Sequence, residues 1–434
     1  MRLTILILTV LWFVNEHASV AQQSPQVSRT LDAQPTNASA GSLPDPRGVF
    51  PIGRITFHFK DSTRVEPLSE TAANREVMVD VWYPAERSNG PRARYLEADA
   101  FEQSIGIAGL RGLLGERPAS LVTAGDVHTH AVDRAPFAAS LKRVPVLLFS
   151  HGSGTVPQIY TAQIEELVSH GYVVAAITHT YDAALTVFPD GRRIPLNRTR
   201  RPSAASPDDE RLAYRNGRME WQANDIRFVL DELARQNRMS PESVPFSGRL
   251  DLGRVGAFGH SAGGRAAARA CQIDRRLLAC ANQDGTERML PFYADERGWG
   301  MDQPFLFVVR DGSNIPPTDD ELRQWGITRA QSDATVGQLW ARRDSTLTRT
   351  GGGLYWVTLN FSATTHMSFS DLPLLTATNA EDAARHIRAL KVLCDYTRSF
   401  FDKMMRGTNA SLLDDGIAGE FVYFVKKFPP ARRR

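Results

Sequence analysis

The sequence predicts an α/β fold, with a mostly parallel central sheet and helices on both of its faces. Continuous apolar runs alternate along the chain with segments of helical periodicity, as expected when buried parallel strands are joined by helices. Several apolar runs end in loops rich in Gly, Ser, His or Asp. Because the functional loops of such sheets lie at the carboxyl ends of the strands, these loops are the candidate site.

Eight segments have the apolar character of strands. The first two come early in the chain and are expected to run antiparallel to the others at one edge of the sheet. The other six are expected to form its parallel, buried part. The predicted strands are 54–59, 77–83, 144–149, 172–178, 253–258, 277–283, 304–309 and 354–360.

Five segments are predicted to be helices. The second has apolar residues at Ile226, Val229, Leu230 and Leu233, which lie on one face of a helix. The predicted helices lie near 157–170, 219–236, 262–272, 319–341 and 380–405.

Two lid-like insertions, 97–135 and 190–218, are expected to shape a substrate pocket. The first carries apolar residues such as Phe101 and Leu110, which we expect to pack on the core. A mobile lid lining an acyl pocket is the alternative for this insertion. The second is rich in Arg, Pro and Ser and is predicted to cross the entrance of the pocket.

One domain accounts for the length of the chain. It has 434 residues, is 42% hydrophobic and shows no internal repeat, so residues 48–434 are expected to form a single domain. The formal net charge of +3 is too small to indicate a nucleic-acid partner. Arginines cluster between residues 192 and 201, where solvated surface is expected and peripheral contact with a lipid surface is the alternative. No obligate protein partner is inferred.

The first residues predict export to the periplasm or the cell exterior. Arg2 precedes an apolar run of about a dozen residues, and a small-residue cleavage site ends at Ala21. Residues 1–21 are therefore predicted to be a signal peptide, with an uncleaved tether as the alternative. Residues 22–47 are rich in Gln, Ser, Pro and Ala and are predicted to be a flexible linker.

Three cysteines leave at least one thiol unpaired. Cys271 and Cys280 are close in the chain and could form a disulfide. Reduced thiols are the commoner condition at such small apolar positions, so we expect both to be reduced. No cysteine–histidine spacing has the pattern of a metal site, and no metal is predicted.

The stretch Gly-His-Ser-Ala-Gly at 259–263 predicts a nucleophilic serine. It follows the predicted strand 253–258 and precedes a predicted helix. A serine on a sharp strand-to-helix turn is exposed at the rim of the sheet, and flanking glycines relieve the crowding of that turn. This context favours Ser261 as a nucleophile over an ordinary Gly-rich turn, and the motif is that of the α/β-hydrolase fold.

A second small-residue loop, 150–154, follows the predicted strand 144–149. In this position a His-Gly loop supplies a backbone N–H to an oxyanion hole, here from Ser153. The second donor is expected to be the N–H of Ala262, directly after the nucleophile. An ordinary strand-to-helix turn is the alternative for the loop.

His366 is the candidate general base among the ten histidines. It begins a loop after the last predicted strand, downstream of Ser261, where this fold places its base. The acid has two candidates. Asp284 and Asp311 each end a strand after the serine, and fold order favours Asp311, whereas the loop at Gly285 gives Asp284 room to turn. The residues alone leave the two nearly even.

The segments 149–152, 259–264, 284–285 and 366–373 together resemble the plasma-type platelet-activating factor acetylhydrolases, especially their bacterial, dienelactone-hydrolase-like relatives. The similarity extends over roughly residues 48–405. The resemblance implies Asp284 as the acid of a Ser261–Asp284–His366 triad. It also implies Ser153 and Ala262 as the oxyanion donors.

The resemblance implies a serine hydrolase of carboxylic esters that needs no cofactor. Its implied substrates are short or oxidised acyl esters of phospholipids. A broad-specificity secreted esterase for small or polymeric esters is the first alternative. A catalytically silent binding protein on a hydrolase scaffold is the second, and the presence of the serine, the histidine and both acids argues against it.

Overall fold

A computed structural model describes residues 43–428, apart from 70, 204–205, 207, 286–300, 311–318, 325–327, 331–332, 334–349, 361–363 and 416–419. Its main feature is an eleven-stranded sheet in the described part of the chain. The strands are β1 (Ile52–Val65), β2 (Asn74–Pro84), β3 (Arg92–Arg94), β4 (His128–Asp133), β5 (Val144–Ser150), β6 (Val173–His179), β7 (Leu185–Val187), β8 (Arg193–Pro195), β9 (Leu250–His260), β10 (Leu277–Gln283), β11 (Phe305–Arg310), β12 (Leu354–Leu359) and β13 (Val422–Phe428).

The strand order in the large sheet is β13-β12-β11-β10-β9-β5-β6-β2-β1-β4-β3, and β7 and β8 form a separate hairpin. Strands β5, β6 and β9 to β12 are parallel, and β13 closes one edge in the antiparallel direction. This is the predicted α/β fold with a mostly parallel sheet. The parallel strands are almost completely buried because helices cover both faces.

The prediction that the first two strands both run antiparallel at one edge is wrong in two respects. β2 is antiparallel to β6, but β1 pairs antiparallel with β2 and therefore has the direction of the parallel strands. Two short strands, β4 and β3, extend the sheet beyond β1. Both strands lie in or beside the first insertion. They were not predicted because their pairing with distant residues leaves no local sequence signal.

The described helices are α1 (Ala98–Leu114), α2 (Glu116–Ala124), α3 (Thr161–Ser169), α4 (Asp208–Gln236), α5 (Ala262–Ile273), α6 (Asp319–Gln324), α7 (Leu372–Thr376), α8 (Ala380–Phe401) and α9 (Ser411–Asp414). Most of the helix predicted at 319–341 lies outside the described residues. Among the described helices, none is both long enough and apolar enough to span a bilayer.

Two apolar layers sandwich the sheet. One layer packs α3 and α8 against residues such as Phe149 and Phe258, and the other packs α4 and α5 against Leu148 and Phe307. Alternate residues of each buried strand point to opposite layers, so both faces contribute to the core. This packing holds the carboxyl ends of β5, β9, β10 and β12 in fixed relation, and the candidate site lies there.

The first insertion is ordered and packs on the domain. Phe101, Leu110 and Leu114 of α1 are buried in the larger core cluster, and α1 contacts the hairpin of β7 and β8, of which β8 lies in the second insertion. At the other end of the sequence, Leu43 is already buried, and Arg47 pairs with Glu166 and Asp395. Residues 43–47 therefore contact the domain, although they belong to the segment predicted to be a linker.

The expectation that Cys271 and Cys280 are reduced is wrong, because they form a disulfide. α5 packs against β10, and Cys280 faces the end of that helix. The two Cα atoms are 6.4 Å apart, which is within the range that a disulfide spans. The third cysteine, Cys394, is free and buried.

Reduction of this disulfide is expected to destabilise the protein by about 2–3 kcal/mol, because it frees a short loop in the unfolded chain. Urea unfolding with and without a thiol reductant measures the difference. The variant Cys271→Ala/Cys280→Ala should show no reductant effect. An unchanged unfolding midpoint of the unmodified protein under reductant would contradict the prediction.

Candidate active site

Ser261 lies on the turn between β9 and α5 in a strained backbone conformation. Its φ is 55° and its ψ is −118°, a region that residues other than glycine rarely adopt. The backbone N–H of Ser261 donates to the carbonyl of Gln283 at 2.8 Å, which ties the turn to the end of β10. This conformation lifts the Ser261 hydroxyl above the carboxyl end of the sheet.

We expect Ser261→Gly to raise the free energy of unfolding by about 1 kcal/mol. Glycine relieves strain of about 1–3 kcal/mol and costs about 0.5–1 kcal/mol in chain entropy. Ser261→Ala is the matched control, because alanine keeps the strained φ and should leave stability unchanged. Equal unfolding midpoints for the two variants in urea would refute the strain argument.

Glycines beside Ser261 let two loops come into contact. A Cβ atom at Gly263 or Gly259 would collide with the carbonyl of Ser150 at the end of β5. A Cβ atom at Gly152 would approach the Cβ of Ser261 to 3.5 Å. The serine turn and the 150–154 loop therefore lie in direct contact, and the close approach of the Ser150 carbonyl requires glycine at positions 259 and 263.

Ser261, His366 and Asp284 form one hydrogen-bonded chain. The Ser261 Oγ is 3.1 Å from His366 Nε2, and His366 Nδ1 is 2.6 Å from Asp284 Oδ2. His366 begins a short 3₁₀ turn after β12, and Thr365 and Ser368 cap that turn with reciprocal hydrogen bonds. The His366 side chain is 42% exposed, so a ligand can approach it.

Asp284 is buried beside a cation that the sequence analysis did not identify. Arg310, at the end of β11, donates from Nε to Asp284 Oδ2 at 2.9 Å and from its backbone N–H to Oδ1 at 3.2 Å. Burial by itself would raise the pKa of the Asp284 carboxyl. The hydrogen bond and charge of His366, together with Arg310, outweigh burial and hold that pKa below its usual range. The carboxyl group is therefore ionised and oriented.

Arg310→Met is expected to destabilise the fold at pH 7, and the difference from the unmodified protein should shrink in acid. Because Arg310 helps to lower the folded-state pKa of Asp284, the pair stabilises the fold above the unfolded-state pKa of about 3.9. This contribution disappears as the pH falls through the folded-state pKa. Urea unfolding at pH 7 and pH 3 measures both differences, and a difference that grows in acid would contradict the assignment.

The 150–154 loop lies opposite the serine turn. The N–H groups of Gly152 and Gly154 donate to Tyr160 Oη and to the Asp182 carbonyl. The N–H groups of Ser153 and Ala262 donate to no other group in the described part of the chain. The serine turn and the loop that packs against it thus each carry one unpaired N–H group, and an oxyanion hole needs two such donors.

His260 also contacts the site, although the sequence analysis used it only as part of the motif. Its ring centroid lies 4.5 Å from that of His366, and it stacks on Phe369 at 5.3 Å. Burial lowers the pKa of His260 well below its usual range, so the ring is neutral. Tyr160 Oη is 2.9 Å from His260 Nδ1. The ring therefore supports one side of His366.

Asp311, the other acid candidate, lies outside the described residues. Arg310 and Tyr160 could not be found from the sequence, because their contacts depend on strand register and on helix packing. In β10 and β11, Gln283 pairs with Val308, and this register brings Arg310 beside Asp284. His260 had a local signal, since it directly precedes the serine.

The strand order, the strained serine turn and the hydrogen-bonded chain define an α/β-hydrolase. Residues 36–379 match the family model for platelet-activating factor acetylhydrolase, isoform II. The chain belongs to this family, as the resemblance in its motifs predicted.

Named relatives have the same family character. The platelet-activating factor acetylhydrolase of Cavia porcellus is 25% identical over 232 residues, which cover 47% of this chain and 49% of the relative. That of Canis lupus familiaris is 26% identical over 214 residues, covering 46% and 47%. A probable 1-alkyl-2-acetylglycerophosphocholine esterase of Arthroderma benhamiae is 24% identical, covering 62% and 63%. The chain thus spans about half of the length of the first two relatives.

A solved structure supports the fold over most of the chain. The ferulic acid esterase of Streptomyces cinnamoneus superimposes with a TM-score of 0.64 at 27% sequence identity. The superposition covers 88% of this chain and 97% of the esterase chain.

Proposed function

We propose that this protein is a serine hydrolase of carboxylic esters that acts through an acyl-enzyme. The observation that carries the proposal is the hydrogen-bonded chain from the Ser261 hydroxyl through His366 to Asp284. This order of hydroxyl, imidazole and carboxylate is the arrangement that activates a serine for attack on a carbonyl.

In the proposed mechanism, Ser261 Oγ attacks the ester carbonyl carbon while His366 Nε2 takes its proton. Asp284 accepts a hydrogen bond from the Nδ1–H of His366. This bond holds the ring in the required tautomer and stabilises its charged form. The Ser153 and Ala262 N–H groups bind the developing oxyanion. His366 then gives its proton to the leaving alcohol, and water repeats the sequence to release the acid.

The substrate class we propose is a phospholipid with a short or oxidised acyl group. Membership of the acetylhydrolase family supports this class, as do the names of the three relatives. A broad esterase for small or polymeric esters is the second candidate. The superposition on a ferulic acid esterase over most of both chains favours this second candidate over a protein without activity.

A comparison of turnover rates distinguishes the two candidates. The esters to compare are an acetyl ether phospholipid, a long-chain diacyl phospholipid, and short- and long-chain nitrophenyl esters. We expect the acetyl phospholipid to exceed the long-chain phospholipid by at least about tenfold in kcat/KM, since an acyl pocket discriminates among chain lengths. Equal turnover of all esters would favour the broad esterase. Failure of a fluorophosphonate probe to label Ser261, with no turnover of any ester, would refute hydrolase activity.

We further propose that the protein is exported, with residues 1–21 as the signal peptide. The Cys271–Cys280 disulfide supports this proposal, because such bonds persist mainly in oxidising compartments. Peripheral contact of the basic segment around Arg192–Arg201 with lipid surfaces would fit a phospholipid substrate. Mass measurement of the protein secreted by its host tests the cleavage.

A further inference from the structure

A second chain of serine, histidine and aspartate lies beneath the 150–154 loop. Ser150 Oγ is 2.6 Å from His179 Nε2, and His179 Nδ1 is 2.8 Å from Asp225 Oδ2. All three residues have no exposed surface. Because no substrate can reach a fully buried hydroxyl, this chain is not a second nucleophilic site.

The protonation states of Asp225 and His179 determine which group donates in each hydrogen bond of the buried chain. Arg75 holds the pKa of Asp225 far below its usual range against the effect of burial, so the carboxylate only accepts hydrogen bonds. Burial lowers the pKa of His179, so its ring is neutral and its Nδ1–H donates to Asp225. His179 Nε2 then accepts a hydrogen bond from the Ser150 hydroxyl group. Each hydrogen bond in the chain therefore runs from the loop toward Asp225.

Asp225 is itself firmly held. Arg75 donates from Nε to Asp225 Oδ1 at 3.1 Å and from Nη2 to Oδ2 at 2.5 Å. Arg75 Nη1 also donates to the carbonyl of Thr180, the residue after His179, at 2.9 Å. A buried, two-point ion pair between β2 and α4 is a rigid base for the histidine.

His179 reaches the loop by a second route. Its backbone N–H donates to His151 Nε2 at 3.2 Å, and His151 Nδ1 is 2.7 Å from the Gly152 carbonyl. Burial is the main cause that lowers the pKa of His151 to about 3, so this ring is neutral and its Nδ1–H donates. His179 therefore constrains Ser150 through its side chain and Gly152 through His151.

We propose that Ser150, His179 and Asp225 are positioning residues that fix the oxyanion loop, so that the Ser153 N–H meets the developing oxyanion. The inference rests on the proposed hydrolase function. The Ser150 carbonyl also packs against Gly263 in the nucleophile turn, so the same anchor sets the distance between loop and nucleophile. A donor must lie within about 0.5 Å of its productive position, which depends on the contacts that support its loop.

The first test is Ser150→Ala, which removes the hydroxyl and leaves the Asp225–Arg75 pair intact. We expect kcat for an oxygen ester to fall about tenfold with KM unchanged, since the loop loses one anchor of an oxyanion donor. Ser169→Ala is the matched control. Ser169 is also completely buried and hydrogen-bonded, but its partners are Gly48 and Glu166.

A thiono ester gives a readout that simple destabilisation would not change. Its sulfur is a weak hydrogen-bond acceptor, so its hydrolysis depends less on the oxyanion hole. We expect Ser150→Ala to lower the preference for oxygen ester over thiono ester by the same tenfold factor, whereas Ser169→Ala should keep it. An unchanged preference in Ser150→Ala would overturn the inference.

Asp225→Asn tests the far end of the chain and should lower kcat and the oxygen preference by up to about 10², the effect of losing a donor. Its control is Glu165→Gln, because Glu165 is equally buried and pairs with His130 at 2.8 Å. Equal preference in both variants would also refute the inference. An unmodified protein that hydrolyses neither ester refutes the proposed function itself, so the two failures are distinct.

Discussion

Ser261→Ala is expected to lower kcat for ester hydrolysis by a factor on the order of 10⁶, the effect of removing the nucleophile from serine hydrolases. Alanine leaves the backbone turn, His366 and the oxyanion donors in place, so only the attacking oxygen is lost. Initial rates on the best ester substrate measure the loss of turnover. Labelling with a fluorophosphonate probe measures separately whether a reactive serine remains.

Ser399→Ala, in helix α8, is the serine control and should keep full activity. Near-ultraviolet circular dichroism of both variants establishes that each is folded. If Ser261→Ala keeps ester turnover within a small factor, the nucleophile is another residue and the proposed mechanism is wrong. Probe labelling that persists in Ser261→Ala would lead to the same conclusion.

Asp284→Asn is expected to lower kcat by about 10⁴, because an amide no longer selects the tautomer in which His366 Nε2 accepts the serine proton. The 2.6 Å contact between Asp284 Oδ2 and His366 Nδ1 is the basis of this expectation. KM should change little, since the Asp284 carboxyl is buried. Steady-state kinetics at a fixed pH give both constants.

Asp311→Asn is the matched comparison, because it makes the same change at the other acid that the residues alone allow. We expect its activity to stay within a factor of about two to three. The reverse outcome, with Asp311→Asn inactive and Asp284→Asn active, would transfer the role to Asp311. Asp284→Asn also removes the carboxylate that pairs with Arg310, so urea unfolding should be measured beside the kinetics.

Much of the fold could be predicted because apolar runs and helical periodicity are local patterns. The six parallel strands from 144–149 to 354–360 agree with β5, β6 and β9 to β12 within a few residues. The direction of β1 could not be predicted in this way, since it depends on which neighbour pairs with it. The short strands β3 and β4 likewise exist only through pairing with β1 and with each other.

In the candidate site too, residues with a local sequence signal could be predicted and residues that depend on tertiary contacts could not. Ser261 has a local motif, and His366 has a defined place after the last parallel strand, so both could be proposed from the residues. Asp284 could be chosen over Asp311 only through the resemblance to a family. The partner of its carboxylate, Arg310, depends on the register of β10 and β11, which a single sequence does not reveal.

By itself, the sequence determined the class of fold, the serine turn and the order of the candidate residues, since each depends on neighbours along the chain. Only the tertiary structure decided the Cys271–Cys280 disulfide, the Arg310–Asp284 pair and the buried chain from Ser150 to Asp225. These contacts join residues from different strands and helices. Packing of the sheet between its helical layers brings these residues together. A local sequence pattern does not reveal such contacts, because the partners are far apart along the chain or depend on strand register.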